Sequence, residues 1–419
     1  MPIITKIELY HVRVPLDAPF YPSWIPGFPQ TENRFDLIKI TTQSGIVGYS
    51  AGPAMGPERK GIGYLISPYL IGLDASDIPL MQQRVREIGY LGIRSGWIEP
   101  AFWDIKGKIA NKPVYELLGG KPGKVKVYAS TGEVKSPEAR VEEAQQRYDE
   151  GFRSIKLRVH DFDEKQDIAQ VEAVAKSMGG LMKIGVDANQ GWRVTAVSDA
   201  PCWDLPRAKR FVDACADLGV SWVEEPLAMD DYDGLSELTA YSRIPVSGGE
   251  LHTSGLPELK MMIEKRCFDI FQPDAMMTGG IQQTFDVIQE VKKHGLRYTP
   301  HTWTNGIGFA VNLQLMMASG FTDTASLEYP INPPSWTVEK RDALLTQPFI
   351  AKDGHLEAPT SAGLGFDIDE KQLKRYGKRF FSMGKKGLTW YVLRDKGLKT
   401  AKEIDNNKRL HGVGANKII

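Results

Sequence analysis

Eight charged side chains recur through the middle of the chain, most of them closing a Val- or Ile-rich apolar run: Lys156 and Arg158, Asp187, Glu224, Glu250, Asp274, His301 and Glu328. Carboxylates at the ends of buried runs cost solvation energy, and a single shared site accounts for all of them together. Asp187, Glu224 and Glu250 end three successive runs. Brought together they raise one another's pKa unless a cation sits between them, and an all-oxygen ligand set suits a hard divalent ion such as Mg2+. Each acid alone could instead cap the helix that follows it; three in succession favour the metal. Lys156 and Arg158 stand two apart on a strand and so face the same side. Three carboxylates, one Mg2+ and these two cations leave a net positive charge, which suits a small anionic substrate bound through its carboxylate.

His301 and Asp274 end neighbouring runs, and a carboxylate that accepts from one imidazole nitrogen fixes the tautomer and raises the basicity of the other. Glu328, if burial keeps it protonated, could donate to a developing enediolate oxygen. The chemistry this set can do is removal of a proton α to a carboxylate. A metal and Lys156 would lower that barrier by opposing the enediolate charge as it forms.

The elements that must position these residues read as eight strand-and-helix units. Strands are expected at Val125–Ser130, Arg153–Arg158, Met182–Asp187, Ser221–Glu225, Ile244–Glu250, Phe268–Pro273, Leu296–His301 and Ala325–Glu328. Helical patterns separate most of them: Ser136-Pro137 opens one helix and Gly151 ends it, and Ile281, Phe285, Ile288 and Val291 share a face of another. Gly279-Gly280 before that helix reads as a helix start, with a phosphate cradle as the alternative. Eight such units with right-handed crossovers predict a parallel (β/α)8 TIM-type barrel, whose strand ends open into one mouth.

Ahead of the barrel, Ile3–Val14 and Phe35–Thr42 alternate as antiparallel hairpins, and Pro68–Leu118 turns helical until Gly119-Gly120 stops it. The division expected is an α+β domain at 1–124, a barrel at 125–345 and a C-terminal segment at 346–419 with a basic tail. Between the first strands, Asp17–Arg34 carries Tyr21, Trp24, Phe28 and four prolines, the composition of a lid or binding loop. With the Ala51–Lys60 loop it should read the far end of a substrate; Trp24, Arg34, Trp303 and Asn305 are the pocket candidates.

Lys plus Arg equals Asp plus Glu, 52 each, so the overall charge suggests neither nucleic acid nor an anionic membrane surface as a partner. Three cysteines without metal-ligand spacing fit a reducing compartment. No apolar run reaches the roughly 18 residues of a membrane span, and no leader pattern precedes Ile3, so a cytoplasmic location is expected. The basic tail reads as a solvated face or a subunit contact.

In Trp103-Asp104-Ile105-Lys106-Gly107-Lys108 through Gly119-Gly120, Lys156-x-Arg158, Val186-Asp187-Ala188-Asn189-Gln190, Glu224-Glu225-Pro226, Gly249-Glu250, Pro273-Asp274-Ala275, His301, Glu328 and Ala362-Gly363-Leu364-Gly365, the chain resembles the enolase superfamily, and within it the mandelate racemase subgroup. The resemblance spans about residues 1–375. It implies a modified, enolase-like barrel under an α+β cap that the C-terminal segment completes. It also implies one Mg2+ held by Asp187, Glu224 and Glu250, a His301–Asp274 acid/base dyad, and Glu328 donating to the substrate. A homo-oligomer, dimer or octamer, is expected, and Asn189 joins the substrate-binding candidates.

Members that racemise look as if they carry Lys-x-Lys at the second strand, where this chain has Arg158. An arginine stays protonated at ordinary pH and is a poor general base, though a good carboxylate binder. His301 is then the one evident base, and one-base chemistry suits β-elimination: dehydration of an aldonate or aldarate to a 2-keto-3-deoxy acid. His160, two past Arg158, and His252, two past Glu250, are the candidates for a second acid. They keep a racemase or epimerase of a 2-hydroxy acid as the alternative. A non-catalytic binding protein on the same fold is the more remote one.

Overall fold

The computed structural model describes residues 1–54, 59–92 and 94–411, with the backbone alone for 59–60 and 404–411. Residues 55–58 of the Ala51–Lys60 loop and the last eight of the basic tail lie outside the described residues.

The chain opens with three antiparallel strands, β1 (Ile4–Phe20), β2 (Gln30–Thr42) and β3 (Val47–Pro53). Both β1 and β2 run further than hydropathy alternation suggests. The connection between them is therefore Tyr21–Pro29, and Arg34 is a strand residue rather than a loop residue. Helices Ile78–Gly89 and Pro100–Ala110 pack behind this sheet, burying Ile88, Phe102 and Ile105. Gly119, at φ 87°, closes the helical stretch where a side chain would be strained.

Eight parallel strands follow: β4 (Lys124–Ser130), β5 (Ser154–Arg158), β6 (Lys183–Asp187), β7 (Trp222–Glu224), β8 (Val246–Gly248), β9 (Ile270–Phe271), β10 (Arg297–Tyr298) and β11 (Leu327–Pro330). They pair in the order β10-β9-β8-β7-β6-β5-β4-β11. Between the two end strands Thr299 Oγ1 donates to Ser326 O at 2.8 Å. A full helix follows each of the first seven strands; β11 is followed only by the four-residue helix Val338–Arg341. A short strand, β12 (His355–Glu357), pairs antiparallel with β4.

The chain then returns to the first domain. Strand β13 (Gly377–Gly384) adds to the free edge of β1, giving the sheet order β13-β1-β2-β3, and a helix kinked at Gly397 follows over Lys385–His411. Among the described residues no helix is long and apolar enough to cross a membrane.

Most barrel helices are capped by their own sequence. Ser136, Asp163, Asp204, Asp231 and Asn305 each accept from a first-turn N–H, which satisfies donors that the helix itself leaves open. The helix Ile281–Lys293 begins at Gly280 without a side chain of its own to do this. Its donors meet Glu99, reaching across from the first domain: Ile281 N to Glu99 Oε2 is 2.7 Å and Gln282 N to Oε1 is 3.2 Å. That helix start is an anion site already filled by a protein carboxylate, which answers the phosphate-cradle alternative. Gly96 lies so close to Gly279 that a Cβ there would overlap its backbone, so the two domains touch backbone to backbone.

Candidate active site

The β5 alternation sends Ile155 and Leu157 outward to the helices and Lys156 and Arg158 inward; all four are buried. Across the ladder Arg158 pairs in register with Asp187, and Asp187 with Glu224, so three charged residues share one level of the barrel. Lys156 Nζ lies 2.5 Å from Glu224 Oε1, 2.6 Å from Glu328 Oε1 and 3.4 Å from Asp187 Oδ2. The Arg158 guanidinium pairs with Asp187 and donates through Nε to Thr131 O at 2.7 Å. Glu250 stands just beyond β8, after Gly249 at φ 105°.

His301 Nδ1 is 3.0 Å from Asp274 Oδ2. The other carboxylate oxygen, Asp274 Oδ1, accepts from Asn312 Nδ2 at 2.8 Å and Met276 N at 2.9 Å. An acceptor held this firmly keeps the proton on Nδ1 and leaves Nε2 as the basic nitrogen. His301 Nε2 points to Glu250 Oε1, 3.6 Å away.

The electrostatics are those of too many acids in one dry space. Burial pushes Glu224 up to about 8, Asp187, Glu328 and Glu250 adding to the shift against Lys156; burial also raises Glu250 and Glu225. Asp187 is held low: burial opposes ionisation, but Arg158 and Lys156 outweigh it. Burial would lower His301, yet Glu250 and Asp274 raise it to about 10. Against burial, Lys156, His301 and Arg158 bring Glu328 down to about 2, and it accepts from Ser130 Oγ at 2.8 Å and Thr302 N at 2.6 Å. In this arrangement both of its oxygens act as acceptors, with Lys156 and Arg158 beside it.

Among the described residues no three His, Cys, Asp or Glu side chains already converge on one point that could hold a metal ion. Asp187 and Glu224 are turned to Lys156 and Arg158 instead.

The outlying candidates divide. Trp24 and Trp303 flank Arg158, with their rings 5.4 and 5.5 Å from its guanidinium carbon, and Trp303 stacks on Phe20. Asn189, at φ 49°, accepts from Ser23 Oγ at 2.6 Å and lies 3.4 Å from Arg158 Nη1. The His160 ring is bonded to Ser23 O. Three stand apart: Arg34 is exposed on β2, Asn305 is used as a helix cap, and His252 is bonded to Glu258 at 3.1 Å.

Several participants escaped sequence reasoning. Gln272 Nε2 donates to Glu224 Oε2 at 2.8 Å; two residues before Asp274 on an apolar run, it carried a legible strand-face signal. Asn312, a buried amide in the wholly buried helix Gly306–Ser319, was legible as a polar residue needing a partner. Thr302 and Ser130 carried no signal. A cleft of about 1450 Å3 opens between helix Ile78–Gly89 and the barrel loops, lined by Trp97, Trp192, Leu251 and Met276 among others. None of the eight charged residues lines it; it runs beside the site, and the site itself is packed.

Residues 6–119 match the mandelate racemase/muconate lactonizing enzyme N-terminal domain, and residues 139–372 match the enolase C-terminal domain-like family. The D-galactarolactone cycloisomerase of Agrobacterium fabrum is 29% identical, over 89% of this chain and 98% of its own. The arabinonate dehydratase of Saccharolobus solfataricus is 30% identical, over 84% and 93%. Racemases and epimerases also stand among the relatives. A solved L-talarate dehydratase from Polaromonas sp. JS666, complexed with Mg and L-glucarate, is 25% identical with a TM-score of 0.75, covering 92% of this chain and 99% of that one. With a capping sheet, a barrel of parallel strands and both domain families matched in order, the chain belongs to the mandelate racemase/muconate lactonizing enzyme family of the enolase superfamily.

Proposed function

We propose that this enzyme dehydrates an acid sugar, an aldonate or aldarate, to a 2-keto-3-deoxy acid. The observation that carries the reading is one-sidedness. His301, oriented by Asp274, presents Nε2 from one side of the site. In place of a second lysine base stands Arg158, already engaged by Asp187 and the Thr131 carbonyl. The two other histidines that could serve a second face are bonded to Ser23 O and to Glu258, which gives an epimerase no support.

In this reading the His301 imidazole is neutral once a cation pairs with Glu250, whose charge otherwise raises its pKa. Its Nε2 takes the α-proton, and the electron pair of the broken C–H bond forms the C=C bond of an enol. The β-hydroxyl leaves as water with the proton that His301 returns, and the enol becomes the ketone. Lys156 opposes the negative charge that grows on the substrate carboxylate, and Arg158 helps to hold that carboxylate.

The residues fit a divalent cation. Asp187, Glu224 and Glu250 are oxygen donors at or just past the ends of three consecutive strands, and Glu224 and Glu250 are pushed upward by burial and by their neighbouring acids, a strain that added positive charge relieves. Bound there, Mg2+ supplies the charge that makes an α-proton acidic enough for an imidazole.

The test is a screen of purified protein with Mg2+ against aldonic and aldaric acids, scored for new keto acid. One acid should be converted, chelation should stop it and Mg2+ should restore it. No keto acid from any, or unchanged turnover after chelation, sinks the reading.

A further inference from the structure

The Tyr21–Pro29 loop is tied to the barrel at several points. Tyr21 N donates to Glu133 Oε1 at 2.8 Å, Ser23 N to Gly132 O at 2.9 Å and Ser23 Oγ to Asn189 Oδ1 at 2.6 Å, and Ser198 Oγ bonds Pro26 O. The remaining tie is His160, whose Nδ1 meets Ser23 O. Both are buried, Ser23 at 2% exposure and His160 at 7%. The ring also meets the Pro201 backbone; with the proton on Nδ1 it donates to Ser23 O. His160 follows Arg158 by two residues, and the loop that it fastens carries Trp24 over the Arg158 guanidinium.

We propose that His160 is a positioning residue: it latches the Tyr21–Pro29 loop through Ser23 O and so holds Trp24 as the roof over Arg158. It acts on the substrate only through that roof. The idea rests on the reading of Arg158 as part of the substrate site, but the latch itself can be measured without substrate.

Amide hydrogen exchange of the full chain is compared for wild type, His160→Ala and His160→Gln. The alanine variant should exchange roughly 3- to 10-fold faster over residues 22–29, the effect of one lost hydrogen bond, with barrel strands unchanged. The glutamine variant, which keeps an N–H donor, should recover most of the protection. Loop exchange equal to wild type in His160→Ala overturns the latch. Should His160→Ala not fold, nitrogen NMR of the wild-type histidines decides: a protonated Nδ1 at His160 supports the latch, and a bare Nδ1 overturns it. With a substrate found, His160→Ala should raise KM several-fold more than it lowers kcat, and His160→Gln should reverse this. A loop that loosens in a protein converting no acid sugar leaves the latch standing and removes the dehydratase.

Discussion

Asp274 does two jobs with two oxygens: Oδ2 accepts from His301 Nδ1–H, and Oδ1 holds Asn312 and the first turn of the helix Ala275–Thr278. An amide at this position could turn an N–H toward Nδ1, which would force the proton onto Nε2 and remove the base. Asp274→Asn should therefore lower kcat about 10²- to 10⁴-fold and suppress α-hydrogen exchange with solvent deuterium while the fold persists. Exchange at the wild-type rate would show that His301 is not the base. The acid cluster makes a separate prediction. If Asp187, Glu224 and Glu250 hold Mg2+, saturating metal should raise the Tm by mass action, worth about 2.7 kcal/mol at a hundredfold excess over Kd. Glu250→Gln should abolish most of that rise, and a rise of wild-type size in the variant would place the metal elsewhere.

At the scale of elements, the barrel was legible because its signals are local. Val/Ile runs of strand length, helical spacing between them and Ser136-Pro137 at a helix start all act within a few residues, and charged strand ends mark the mouth. What was not legible depended on distance in sequence. Glu99 caps a helix whose first turn lies 182 residues away, and nothing near Glu99 announces it. Glu328 meets Lys156 and Arg158 from β5, a pairing its own neighbourhood in sequence does not announce. Strands β7 to β10 are only two or three residues long, so Glu250 and His301, expected as the last residues of their strands, lie in loops just past β8 and β10. Glu99 also sets a pH dependence. Burial raises it to about 7, although Ile281 N, Gln282 N and Trp103 Nε1 favour its carboxylate. With a folded pKa above the unfolded one of 4.5, its contribution is full at low pH and lost as pH rises through about 7. The stability of wild type relative to Glu99→Gln should fall by up to about 3 kcal/mol between pH 5 and 8; a pH-independent difference in urea unfolding would refute it.

At the scale of the whole molecule, the two ends of the chain are built into one sheet, so the first domain is incomplete until the last strand arrives. β13 covers the free edge of β1, burying Phe381 and Met383, and Gly63 lies directly against the Phe381 ring. The helix after it continues the contact: Leu388 and Val392 are buried and Tyr391 packs on Tyr64, with ring centroids 4.9 Å apart. Past the kink at Gly397 the character changes, since Leu398 is 61% exposed. The basic charge of this segment lies on both sides of the kink. Residues 385–419 carry nine Lys and Arg against three Asp and Glu, leaving the rest of the chain net acidic. Two truncations separate the structural part of this segment from the solvated part. A chain ending at Tyr376 exposes the β1 edge and loses four buried apolar side chains, each worth about 1.5–3 kcal/mol when buried, and its Tm should fall by roughly 5–15 °C. A chain ending at Lys396 keeps every one of those contacts, and its Tm should stay within about 2 °C of the full-length value. Equal losses in both would mean that the distal half of the helix carries packing of its own, and no loss in the shorter chain would mean that the sheet stands without its last strand.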